Sequence, residues 1–116
     1  MINSVAGFRV FIATEPVDFR KGMDGLAGYV ANTFSLDPYS GAVFVFRSRR
    51  ADRLKLIVWD GTGLILLTKR LSRKSFVWPK AQGDPLVISK IQFDALLEGI
   101  EWRQVVPPRT HKPTFL

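Results

Sequence analysis

Two apolar runs, LKLIVW at 54–59 and LILL at 64–67, are separated only by Asp60-Gly61-Thr62-Gly63. A loop that short cannot return the chain to the start of a parallel neighbour, which needs a crossover of a dozen or more residues. The two runs must therefore pair antiparallel, and Asp-Gly is a turn composition that hairpins favour. The turn also sets a register. With residues 60–63 as the loop, Trp59 stands opposite Leu64, Lys55 opposite Thr68 and Arg53 opposite Arg70. Side chains alternate along a strand. Leu54, Leu56 and Val58 therefore share a core face with Ile65, Leu67 and Leu71, while Arg53, Lys55, Ile57 and Trp59 share the other.

The neighbouring segments extend this pattern. LDPYSG at 36–41 is a turn, so strands are expected near 42–48, 53–59 and 63–71, forming an antiparallel meander. FRVFIA at 8–13 reads as a further strand, broken by Glu15-Pro16. Asp18 is the expected N-cap of a helix running to about Phe34, with Met23, Leu26, Ala27, Val30 and Phe34 in one apolar stripe. Gly22, Gly25 and Gly28 each lower helix propensity by on the order of 1 kcal/mol, and close backbone packing or contact with a ligand would explain them. Residues 86–88 read as extended. Ser89 and Gln92 have capping-box spacing ahead of a second helix, with Phe93, Leu96, Leu97 and Ile100 as its stripe and Gly99 as its stop. The expected fold class is α+β: residues 1–102 as one domain, an antiparallel meander sheet packed against two helices with a basic hairpin loop. Residues 103–116, RQVVPPRTHKPTFL, read as an extended Pro-rich basic arm.

Charge is concentrated in the meander. Arg47, Arg49, Arg50, Arg53, Lys55, Lys69, Arg70, Arg73 and Lys74 stand against only Asp52 and Asp60, an excess equal to the whole net charge of +7. The rest of the chain is balanced. Such a concentration is the electrostatic footprint of an anionic partner, nucleic acid being the commonest. Two arginines directly opposite each other repel, and a bound anion, or splaying of both side chains into water, would relieve that repulsion. These nine residues, with Arg20 and Lys21, are the candidate nucleic-acid-binding set. The apolar half of the same sheet face, Ile57, Trp59, Leu64 and Leu66, is a candidate surface for a protein partner.

Other chemistries find little support. The chain has no cysteine, which removes disulfides and thiolate sites, and its one histidine, His111, lies near the Pro-rich end. Asp18, Asp24 and Asp60 each have a simpler role as cap, helix surface or turn. DGTG lacks the Lys-Ser/Thr of a phosphate loop. No catalytic residue, metal ligand or cofactor is expected, so the chain is not expected to be an enzyme. No signal-peptide pattern or membrane-length apolar span is present, which leads to the expectation of a cytoplasmic protein.

The segments PVDFRKGMDGLA (16–27), DPYSGAVFVFRSRRADRLKLIVWDGTGLILLTKRL (37–71), FVWP (76–79) and LLEGIEWR (96–103) closely resemble the Orf2-like accessory proteins, called TnpB, of insertion sequence 66 elements. They do not resemble the much larger RNA-guided nuclease that shares the TnpB name. The resemblance implies an accessory role in transposition beside a separate transposase, and it brings no catalytic residues. DNA, the transposase and other element-encoded proteins are the expected partners. The alternative to direct DNA contact is a protein–protein adaptor for the transposase complex.

Overall fold

The computed structural model describes residues 9–105. Within them β1 (Val10–Ile12), α1 (Met23–Thr33), β2 (Val43–Arg47), β3 (Arg53–Trp59), β4 (Leu64–Arg70), β5 (Leu86–Ile88) and α2 (Lys90–Leu97) follow in order. The strands form one sheet in the order β4-β3-β2-β1-β5.

β2, β3 and β4 pair antiparallel, with Trp59 opposite Leu64, Lys55 opposite Thr68 and Arg53 opposite Arg70. β1 departs from the expected antiparallel sheet. It lies parallel to β2 and antiparallel to β5, so the sheet is mixed and the class is α+β. The reason is the helix between β1 and β2, which returns the chain so that both strands run the same way.

Both faces of the sheet are covered. On one, Val43, Val45, Leu54, Leu56 and Val58 pack with Phe76, Phe93, Leu96 and Trp102. On the other, Phe44, Phe46 and Ile57 pack beneath Leu26, Ala27 and Val30 of α1. Close packing on both sides is what turns these β-branched and aromatic runs into a stable sheet. Leu67 departs from its expected core place: β4 is the edge strand, and its outer half leaves Leu67 55% exposed. Ile100, expected in the α2 stripe, is 50% exposed because the helix has already ended at Leu97.

The helix ends also differ from one another. α2 carries the expected capping box: Ser89 Oγ accepts from Gln92 N at 3.1 Å, and Gln92 Oε1 accepts from Ser89 N at 3.0 Å. α1 starts later than expected, at an N-cap of Gly22 with no side-chain cap. Asp18 instead closes a separate turn just ahead of the helix, accepting from Arg20 N at 2.9 Å while its backbone carbonyl accepts from Lys21 N.

Only residues 103–105 of the expected arm are among the described residues. Trp102 is buried and donates to Val77 O at 2.7 Å, and Val105 packs against the same core cluster. Most of the expected arm, residues 106–116, lies outside the described residues, as does His111. No helix among the described residues is long and apolar enough to cross a membrane.

Candidate nucleic-acid interface

The antiparallel order brings three strand ends together. β2 ends at Arg47, β3 begins at Arg53 and β4 ends at Arg70, all at one end of the sheet. Three loops meet there. Residues 48–52 join β2 to β3, with Ala51 at φ 58, and Ser48 Oγ donates to the Asp52 carboxylate at 3.0 Å. The loop after β4 is tied to it by Leu71 N–H to Asp52 O, Phe76 N–H to Ala51 O and Ser75 Oγ to Arg50 O. The segment before α1 joins from the other side, through Val17 N–H to Arg47 O at 3.1 Å.

Three of the expected cations are tied to backbone carbonyls of the chain itself. Lys55 Nζ donates to Phe19 O at 2.7 Å and Lys21 O at 2.9 Å, and lies 5.0 Å from the Phe19 ring centroid. Its ammonium thus pins the RKGMDGL loop to β3. Lys69 Nζ donates to Leu97 O at 2.6 Å, where a cation favours the exposed carbonyl end of α2. Arg47 donates to Thr14 O and Arg49 O. Arg20 forms a forked pair with Asp18, with a shortest contact of 2.6 Å. That hydrogen bonding holds the Asp18 carboxyl at about 2, below its ordinary 3.8.

The others are different. Lys21, Arg49, Arg50, Arg53, Arg70, Arg73 and Lys74 are exposed, and none of their side chains meets a carboxylate among the described residues. Arg53 lies 5.6 Å from the Phe19 ring centroid. The end of the sheet therefore presents guanidinium and ammonium groups from all three loops that form no ion pair among the described residues. Guanidiniums of this kind can fork onto phosphate oxygens.

The apolar half of that sheet face is mostly closed. Ile57 is fully buried under α1, which corrects the expectation that it faces a partner, and Leu64 and Leu66 are half-buried against the same cluster. Trp59 is half-buried beside Tyr39, with ring centroids 5.5 Å apart in an edge-on arrangement. No group of three or more His, Cys, Asp or Glu among the described residues could hold a metal ion. Asp60 anchors the β3–β4 turn, accepting from Thr62 N and Gly63 N at 2.9 Å each, and these bonds lower its pKa.

Two features were not anticipated. Phe19 was expected inside a helix but stands in the loop as the ring shared by Arg53 and Lys55. Ser48, buried among the loops, ties Asp52 to the backbone of Arg53. Only the short spacing between Ser48 and Asp52 hinted at the second.

The family profile for IS66 Orf2-like protein matches residues 8–107. The chain belongs to the IS66 Orf2-like family. Membership suggests a transposition-associated accessory protein. Two relatives from Sinorhizobium fredii align over 98% of this chain and 97% of their own lengths. The uncharacterized protein y4jC is 43% identical and the uncharacterized protein y4hO 46% identical. No solved structure matches this IS66 Orf2-like chain.

Proposed function

We propose that the protein is a non-catalytic accessory factor of transposition that binds DNA through the basic end of its sheet. The observation that carries this reading is the group of seven exposed cations, borne by three hydrogen-bonded loops and two strand ends, with no carboxylate partner among the described residues. Arg47, Lys55 and Lys69 then act as scaffold: their donors hold the loops and the end of α2 while adding positive potential behind the surface. Binding of this kind is dominated by phosphate contact, with modest sequence readout.

A gel-shift panel with element-end duplex, random duplex and single strand tests the reading. Wild-type protein should shift DNA, and the combined R49Q/R50Q/R53Q/R70Q variant should lose the shift while keeping its fold. Equal shifts for both proteins would contradict it.

An adaptor role is the second reading, favoured by Tyr39, which is 53% exposed and packs edge-on against Trp59 away from the basic loops. Co-purification with the transposase, lost in Trp59→Ala, would support it.

A further inference from the structure

A cleft of about 400 Å³ opens within the basic end. Pro16, Val17 and Phe19 form one side of it, and Ser48, Arg49 and Arg53 the other. Asp18 also lines the cleft, with its charge held by Arg20. The Phe19 ring is half-buried, so part of it stays accessible, and two cations already lie near it. The cleft thus combines an aromatic ring, apolar walls and two exposed guanidiniums.

The surrounding architecture favours a particular form of DNA. A duplex is read by an element that enters its groove, usually a helix or a two-stranded ribbon. α1, MDGLAGYVANT, carries no basic residue, and α2, KIQFDALL, carries only Lys90, which is paired with Asp94. The β3–β4 ribbon holds its basic residues at the end away from its turn. An unpaired nucleotide makes different demands: cations for its phosphate and a ring for its base. Arg49, Arg53 and Phe19 offer both within one concavity.

We infer that this cleft binds an unpaired nucleotide of DNA, with the base against Phe19 and the adjoining phosphate on Arg49 and Arg53. The inference rests on the DNA-binding reading and specifies the form of the substrate. Fluorescence anisotropy with a blunt duplex, the same duplex with an unpaired tail, and a single strand separates the two. The tailed duplex and single strand should bind roughly five- to tenfold more tightly than the blunt duplex, the size of one stacked base. Phe19→Leu should bring the ratio of tailed to blunt affinity down to about one, while Phe19→Trp should keep the preference. Equal affinity for blunt and tailed duplex would overturn the inference and leave the basic surface standing, as would equal weakening of all three probes by Phe19→Leu. No binding to any probe would remove both. If the leucine variant fails to fold, photocrosslinking of wild-type protein to a tail carrying 5-iodouracil decides. Label within residues 16–19 or 48–53 supports the site, and label only elsewhere overturns it.

Discussion

Arg53 and Arg70 face each other directly across neighbouring strands, both exposed and neither paired with a carboxylate among the described residues. Like charges in that position destabilise a sheet, by an amount on the scale of cross-strand pairs, roughly 0.2–1 kcal/mol. On the proposed DNA-binding reading the pair contacts phosphate, and stability and binding should move in opposite directions. Arg70→Gln is expected to raise the free energy of unfolding by roughly 0.5 kcal/mol while weakening DNA binding. Urea denaturation and anisotropy on the same variant check both. A loss of stability with unchanged affinity would contradict this account of the pair.

Lys55 should behave in the opposite sense. Its ammonium satisfies two backbone carbonyls of the loop before α1. Lys55→Met keeps the stem but leaves those carbonyls without their donor, which should cost about 1–3 kcal/mol. Amide exchange should quicken across residues 18–22, and DNA affinity should fall because Lys21 loses its position. Unchanged exchange in that loop would show that the contact does not hold it.

The contrast between these two residues marks how far the sequence could be read. The Arg53–Arg70 register follows from a four-residue turn and side-chain alternation, both local properties. The α2 capping box is local too. The internal work of Lys55, Lys69 and Arg47 was not legible, because each donates to a carbonyl that only the tertiary fold brings near. The parallel pairing of β1 with β2 was missed for a related reason: short loops dictate the direction of β2, β3 and β4, whereas β1 reaches its neighbours across a helix. Ile57 looked like surface because the strand pattern does not reveal that α1 lies on that face.

Ser89→Ala tests the energetics of α2 separately. It removes the hydroxyl that accepts from Gln92 N. The expected loss is about 1 kcal/mol in chemical denaturation. Because α2 buries Phe93 and Leu96 in the core, the loss should appear in global unfolding rather than as local fraying. DNA affinity should not change.

Asp18 gives a pH signature. Its folded pKa, about 2, lies below the ordinary value of 3.8 because the Arg20 guanidinium and backbone N–H bind the charged form. The contribution of the pair to stability is therefore complete above the ordinary carboxylate range and is lost as pH falls through about 2. Carboxyl-carbon NMR titration should show Asp18 titrating near 2, and Arg20→Gln should move it back toward 3.8. A wild-type midpoint already at 3.8 would mean that the pair does not form in solution.

If the clustered cations of the three loops meet phosphates, DNA affinity must fall steeply as salt is added. If about five phosphates are contacted, the logarithm of the association constant should fall against the logarithm of salt concentration with a slope of roughly −4 to −5 on duplex. Replacing Arg49 and Arg50 with glutamine should flatten that slope by about two phosphate contacts. Affinity indifferent to salt, or no measurable affinity at low salt, would rule out phosphate binding by these loops.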